Sequence, residues 1–146
     1  MDINHALAAC GDLRLVCQRL QILKDLGLGY LTLGEATPSL SGGEAQRLKL
    51  ASEMGRRQED SVFVFDEPTI GLHPLDVRSL IDVFQRLIEK GATVIVIEHD
   101  LDVMRSADYI IDMGPGGGEE GGQIVVSGTL EEICSCTESI TGKYLR

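Results

Sequence analysis

Two short apolar runs, separated by about the length of one helix, most constrain how this chain can fold. They are SVFVF at residues 61–65 and TVIVI at residues 93–97. Each run is almost continuously apolar, which is typical of a strand buried on both faces of a parallel sheet. Residues 75–90 between them carry apolar side chains at helical spacing, and Gly91 stands where such a helix would end. The sequence therefore predicts a βαβ unit with a right-handed crossover and two central strands.

Two capping boxes mark further helix starts on either side of this unit. Ser41 is followed three residues later by Glu44, and Thr129 is followed in the same way by Glu132. Two more short strands are predicted at YIIDM and QIVVSG. The apolar faces predicted for an early helix and for the helix after Ser41 are Leu13, Val16, Cys17, Leu20 and Leu23, and Ala45, Leu48 and Ala51. The fold class is α/β, with a helical segment at residues 1–58 and an α/β portion at residues 59–146.

Net charge limits the kinds of partner that this chain can bind by itself. The 146 residues carry a formal net charge of −10, whereas free-standing nucleic-acid binders usually have a basic surplus. Four basic residues do crowd together at Arg47, Lys49, Arg56 and Arg57. We interpret them as a solvated helix face rather than a nucleic-acid contact. There is neither a membrane-length apolar run nor a secretion signal at the start, so a cytoplasmic protein without membrane contact is expected.

Four cysteines stand at positions 10, 17, 134 and 136. Their spacings, C-x6-C and C-x-C, differ from the C-x2–4-C pairs of zinc sites. Disulfides are rare in cytosolic proteins. We therefore expect buried or incidental thiols rather than a metal site or a disulfide.

Acidic side chains and a histidine follow the two apolar runs, where the strands are predicted to end. Asp66 and Glu67 follow the first run, and Glu98 and His99 follow the second. The carboxyl ends of parallel strands share one edge of a sheet, and ligands bind there. A magnesium ligand, a second acid that polarises water and an imidazole beside a phosphate would suit phosphoanhydride hydrolysis. Each residue alone is open to a structural interpretation, since acids at strand ends often cap the next helix, but together they favour a phosphate site.

Four motifs resemble, in order, those of ATP-binding-cassette (ABC) ATPases. LSGGE at residues 40–44 resembles the signature motif, and VFVFDEPT at residues 62–69 resembles the Walker B strand with its catalytic glutamate. GLHP at residues 71–74 resembles the D-loop, and His99 the switch histidine. Longer stretches, including EHDLDVMRSADYIIDMGPGGGEEGGQIVVSGT, resemble the UvrA family of excinuclease subunits. The resemblance covers about residue 13 to the end and corresponds to the C-terminal part of that family's second cassette, an ABC-type P-loop ATPase domain.

The resemblance implies ATP and Mg²⁺ as cofactors and a role for each motif residue. Asp66 would hold Mg²⁺, Glu67 would orient or activate the attacking water, and His99 would contact the γ-phosphate. The signature residues would complete an ATP site that belongs to another cassette. They are Leu40, Ser41, Gly42, Gly43 and Glu44.

A phosphate-binding P-loop is missing from the sequence. No G-x-x-x-x-G-K-[ST] motif is present, and the glycine-rich GPGGGEEGG contains two acids and no lysine. In folds of this type, the P-loop strand lies between the strands TVIVI and YIIDM. Its absence should leave a gap in the sheet or force those two strands to pair. We expect the chain alone to be oligomeric, rearranged or marginally stable, and to hydrolyse no ATP.

Three functional hypotheses remain open from the sequence. The preferred one is a fragment of a UvrA-type ATPase of nucleotide excision repair. Its partners would be the missing P-loop portion and a second cassette or homodimer partner, with DNA and UvrB implied by the resemblance only. The second is a non-catalytic module that binds and regulates a complete cassette protein. The third is part of a transporter-type ABC ATPase.

Overall fold

The computed structural model of the chain describes residues 1–36, 39–54, 59–114, 116 and 121–146. It divides into two compact units, Met1–Glu98 and His99–Arg146. Arg56, Arg57 and most of the glycine-rich loop lie outside the described residues, as does the predicted boundary after residue 58. Across the described ranges, none of the helices has the length and apolar character needed to cross a membrane.

The first unit contains the predicted βαβ arrangement. Its elements are α1 (Ile3–Ala9), α2 (Arg14–Asp25), α3 (Gly42–Glu53), β1 (Val62–Asp66), α4 (Pro74–Glu89) and β2 (Thr93–Ile97). Strands β1 and β2 pair in parallel, with Val62 opposite Thr93 and Asp66 opposite Ile97. Helix α4 connects the two strands and packs against β2. The parallel pairing and the crossover helix confirm the predicted α/β class.

The core of this unit lies on one face of the two-stranded sheet. The ring of Phe65 on β1 lies 4.9 Å from that of Phe84 on α4, measured between centroids. The fully buried aliphatic side chains around it come from α4 and from the segment after α2, and they are Leu26, Leu28, Leu80, Val83 and Leu87. Burial of this apolar surface is the main stabilising term for the unit.

The opposite face of the sheet is open, so the prediction of strands buried on both faces is wrong for this structure. Val62 and Val64 on β1 are each 62% exposed, and Ile95 and Ile97 on β2 are 49% and 53% exposed. We call these four residues the open strand face. Side chains alternate between the two faces of a strand. Because the described helices of this unit cover only the face that carries Phe65, half of the apolar residues in β1 and β2 stay accessible.

The buried faces of two helices also differ from the prediction. On α2, Leu20 is buried, but Val16 is 45% exposed, and Leu13 at the N-cap is 63% exposed. On α3, the buried residues are Arg47, Leu50 and Ala51, whereas the predicted Ala45 is exposed. The buried face of α3 was predicted wrongly from the apolar periodicity, because such a pattern never assigns a charged residue such as Arg47 to the buried side.

The second unit contains a two-stranded antiparallel sheet and three short helices. Its elements are α5 (Leu101–Ser106), β3 (Ile110–Gly114), β4 (Gln123–Gly128), α6 (Leu130–Ser135) and α7 (Ile140–Leu145). Strand β3 pairs with β4, with Ile110 opposite Gly128. Strands β2 and β3 belong to different sheets, so the described strands do not close the expected gap by direct pairing.

Both predicted capping boxes are present. Ser41 Oγ accepts a hydrogen bond from Glu44 N at 3.3 Å, and Glu44 Oε2 accepts one from Ser41 N at 2.6 Å. Thr129 and Glu132 exchange the same pair of bonds at the start of α6. These reciprocal bonds satisfy backbone donors that a helix start otherwise leaves without a partner.

A disulfide joins Cys10 and Cys17, contrary to the expectation of free thiols. Helix α1 ends at Ala9, and a turn with Gly11 at φ +51° reverses the chain before α2 begins. The reversal brings the two Cα atoms to 5.9 Å, within the range that a disulfide spans. The spacing of the two cysteines in the sequence did not predict this pairing, because the pairing depends on the turn between α1 and α2. Cys134 and Cys136 are free thiols.

We expect Cys10→Ser to lower the free energy of unfolding by about 2 kcal/mol under oxidising conditions, because a short closed loop restricts the unfolded chain. Urea denaturation with and without a reducing agent measures this difference. The reduced wild-type chain should have the same free energy of unfolding as the variant. Equal stability of the oxidised wild type and the variant would contradict the expectation.

Candidate functional site

The predicted acid pair stands at the carboxyl end of β1. Asp66 is the last residue of the strand and is exposed, and Glu67 follows it with a φ of +46°. A left-handed backbone is uncommon for a residue other than glycine. The N–H of Glu67 donates to the carbonyl of Ile97 at 2.8 Å. The chain therefore turns sharply at Glu67 while staying bonded to the end of β2.

Glu98, at the end of β2, secures the loop that follows the acid pair. Its Oε1 accepts hydrogen bonds from Thr69 N at 2.8 Å and from Thr69 Oγ1 at 2.5 Å. Asp66, Glu67 and Glu98 thus lie at one edge of the sheet, as the sequence predicts for parallel strands. The contacts give Glu98 a role in holding the 66–69 loop, which sequence reasoning did not assign.

His99 is the first residue of the second unit and is exposed. It borders a shallow groove of about 390 Å³ that is otherwise lined by Leu101, Met104, Ile140, Thr141 and Tyr144. The meeting of its imidazole with the acid pair stays a prediction.

The LSGGE segment at residues 40–44, which resembles the signature motif, leads into and forms the start of α3. Ser41 is the N-cap, and Gly42 and Gly43 occupy the first turn. Ser41 and Gly42 are exposed, and Leu40 is half-buried. A Cβ added at Gly42 would meet nothing within 4 Å, so packing within the described part of the chain does not require a glycine there. The first turn of α3 therefore leaves backbone N–H groups open to an approaching anion.

Glu44 is engaged within the chain in addition to its capping bonds. Its Oε1 accepts a short hydrogen bond from the hydroxyl of Tyr30. That bond, followed by the bonds from Ser41, holds the pKa of Glu44 below its ordinary value. Desolvation, followed by the bond to Glu44, raises the pKa of the Tyr30 phenol. These contacts tie α3 to the segment that precedes it.

Two residues of α3 that sequence reasoning did not assign to the site contact the 66–69 loop. Gln46 Nε2 donates to the carbonyl of Asp66 at 3.1 Å, and Arg47 Nη1 donates to the carbonyl of Pro68 at 2.7 Å. Arg47 is only 2% exposed, so its interpretation as part of a solvated basic face is wrong. Gln46 and Arg47 directly follow the LSGGE segment, and this position in the sequence could have indicated their role. Residues one turn into a helix lie beside the residues at its start.

The GLHP segment at residues 71–74, which resembles a D-loop, has a local structural role in this unit. His73 is the N-cap of α4, and its Nδ1 accepts from Leu75 N at 3.3 Å. Pro74 follows at the first helical position, where a missing N–H has no cost. Gly71 has a φ of +76° in the preceding turn. The GLHP sequence therefore ends the loop and starts the crossover helix.

Comparison with known proteins identifies a family model and close relatives. The model described as "AAA domain, putative AbiEii toxin, Type IV TA system" matches residues 24–105. The UvrABC system protein A of Aquifex aeolicus (strain VF5) is 59% identical over 130 residues, which are 88% of this chain and 14% of that protein. The protein of the same name from Bacillus subtilis (strain 168) is 51% identical over 147 residues, covering 100% of this chain and 15% of that protein.

Solved structures agree with the sequence relatives. The crystal structure of UvrA2 from Deinococcus radiodurans superposes with a TM-score of 0.88 at 43% identity, over 100% of this chain and 18% of that one. An ATP-binding cassette of an ABC transporter superposes with a TM-score of 0.50 at 26% identity, over 82% of this chain and 44% of that one. The chain spans 14% to 16% of the length of its curated relatives. The chain belongs to the AAA-domain family, and its sequence and fold match one part of the UvrA-type ABC ATPases.

Proposed function

We propose that this chain is the part of a UvrA-type DNA-repair ATPase that supplies the signature motif, the Walker B acids and the switch histidine. The observation that carries the proposal is the position of Asp66 and Glu67 at the carboxyl end of β1, bonded through the backbone to β2. Residues 1–58 would supply the signature segment, and residues 59–146 the remaining motifs of the ATPase core.

Asp66 suits the magnesium ion that such a reaction uses. Mg²⁺ prefers oxygen ligands and is commonly held by one or two carboxylates together with water and substrate phosphates. Asp66 offers an exposed carboxylate at the strand end, where a bound nucleotide would supply further oxygens. When bound, the ion would neutralise charge on the phosphates.

The other site residues would position the reacting groups and stabilise charge on the phosphates. Glu67 would orient or activate the attacking water, and His99 would donate to the γ-phosphate. Ser41, Gly42 and Gly43 would bind the γ-phosphate of ATP held by another cassette, because an exposed helix start presents N–H groups and a positive dipole end. Leu40 and Glu44 would hold that turn in place.

The chain alone would hydrolyse no ATP, because its sequence has no P-loop to hold the β- and γ-phosphates. Its partners would be the P-loop portion of the cassette and a second cassette or a homodimer partner. For the complete protein, DNA and UvrB follow from the family resemblance, and action on chromosomal DNA would place it in the cytoplasm.

Fragment complementation tests this proposal. Calorimetry should detect little ATP binding by the chain alone, whereas mixing it with a fragment that carries the P-loop should restore both binding and turnover. The matched control is the Glu67→Gln chain, which should restore binding without turnover. Hydrolysis by the chain alone that Glu67→Gln abolishes would contradict the proposal.

The same experiment separates the two alternatives. A regulatory module would fail to complement the P-loop fragment but would change the ATPase rate of an intact UvrA-type protein. A transporter ATPase is disfavoured because identity is 26% to the transporter cassette and 43% to UvrA2. A neighbouring gene for a membrane permease would favour it.

A further inference from the structure

Side chains of α3 hold the backbone on both sides of Glu67. Gln46 bonds to the carbonyl of Asp66, the residue before it, and Arg47 bonds to the carbonyl of Pro68, the residue after it. Pro68 is itself fully buried. The loop is thus fastened to α3 at two carbonyls that bracket the proposed catalytic glutamate.

The backbone of Glu67 needs such a support. Its φ of +46° is in the left-handed region, where a side chain crowds the backbone and non-glycine residues are uncommon. Conformations of this kind persist only where the surrounding structure imposes them. The bond from Glu67 N to Ile97 fixes one side of the turn, and the two bonds from α3 fix the other.

Stability of the core does not explain why an arginine occupies position 47. Within the described part of the chain, Arg47 Nε and Gln46 Oε1 are buried without a hydrogen-bond partner. Burial disfavours the charged guanidinium and lowers the pKa of Arg47. An apolar side chain of similar volume commonly fills such a position without loss of stability. Besides electrostatic interactions with Tyr30, Glu44 and Asp76, the arginine adds the bond to the Pro68 carbonyl.

Gly43 of the signature motif makes room for this contact. A Cβ added at Gly43 would lie 3.1 Å from Arg47 Nη1 and 3.5 Å from the carbonyl oxygen of Ile70. The first of these distances is tighter than ordinary van der Waals contact. The small residue therefore lets the guanidinium lie between the start of α3 and the loop after β1.

We infer that Gln46 and Arg47 are positioning residues of the ATPase reaction, which aim the carboxylate of Glu67 by holding the carbonyls of Asp66 and Pro68. The inference rests on the proposed function of Glu67. Neither residue touches the reacting atoms. Misplacement of a catalytic group by about 1 Å is enough to cost about 100-fold in rate.

The test uses the complete ATPase that contains these residues, with the variants Arg47→Met and Gln46→Met. Each is expected to lower kcat about 10- to 100-fold while the KM for ATP changes less than about threefold. The matched control is Lys49→Met, an exposed position on the same helix, which should leave both constants unchanged. Unchanged kcat in Gln46→Met, whose residue is only half-buried, overturns the inference even if Arg47→Met does not fold.

A double-mutant cycle distinguishes positioning of Glu67 from an effect through the signature motif on another cassette's site. In a Glu67→Gln background, adding Arg47→Met or Gln46→Met should reduce turnover no further, because residues that act as a unit are non-additive. A further reduction of tenfold or so would overturn the inference. If Glu67→Gln itself leaves turnover unchanged, the proposed function fails first, so the two failures are distinguishable.

Discussion

Glu67→Gln in the complete ATPase is expected to lower ATP turnover by roughly 100- to 1,000-fold while ATP affinity stays close to that of the wild type. Glutamine keeps the size of the side chain but cannot accept a proton from water. The turn is held by the bond from Glu67 N to the carbonyl of Ile97 and by the bonds from Gln46 and Arg47 to the two neighbouring carbonyls, and none of these three bonds involves the side chain of residue 67. The substitution should therefore remove chemistry and leave the loop in place.

Steady-state kcat at saturating ATP and a calorimetric dissociation constant measure the two parts of this expectation. The matched control is Glu89→Gln, which removes an exposed carboxylate at the end of α4. It should leave turnover unchanged. A loss of less than about fivefold in Glu67→Gln would contradict the assigned role, because a general base usually contributes at least about 100-fold.

Local sequence signals predicted the features that depend on neighbouring residues. The capping boxes at Ser41 and Thr129 formed as expected, because each needs only a partner three residues away. The parallel pairing of β1 and β2 followed from two apolar runs and a helix-length connection. That pairing in turn placed Asp66, Glu67 and Glu98 at one edge of the sheet. These are the residues of the candidate site whose positions could be predicted from the sequence.

Features that depend on distant contacts were not predictable in the same way. The burial of Arg47 is set by a carbonyl 21 residues away, and an apolar pattern gives no sign of it. The disulfide between Cys10 and Cys17 depends on a turn whose geometry the spacing does not reveal. The open strand face shows a different limit. Strands that are apolar on both faces are suited to burial on both faces. The described residues, however, cover only one face of β1 and β2.

The open strand face is expected to make the isolated chain self-associate weakly and reversibly. Val64 and Ile95 lie opposite each other in the sheet and are 62% and 49% exposed. Sedimentation equilibrium should show an average mass that rises above the monomer as the concentration approaches about 1 mM. Val64→Lys with Ile95→Lys should return the chain to a monomer, because burying two ammonium groups in such a contact is costly. Leu15→Lys, at an exposed position on α2, should not.

Estimated free energies of association distinguish this weak self-association from the binding expected with a P-loop fragment. Burying the exposed remainder of the four side chains would contribute about 1 kcal/mol each. A dimer covers this face on both chains, so the sum is about 8 kcal/mol, which is of the same size as the 4–15 kcal/mol that association costs. The face alone therefore cannot hold a tight dimer. A fragment that also adds a strand to the sheet gains backbone hydrogen bonds and should displace self-association. A chain that remains monomeric at every concentration, with a cooperative thermal transition of native-like stability, would contradict this account.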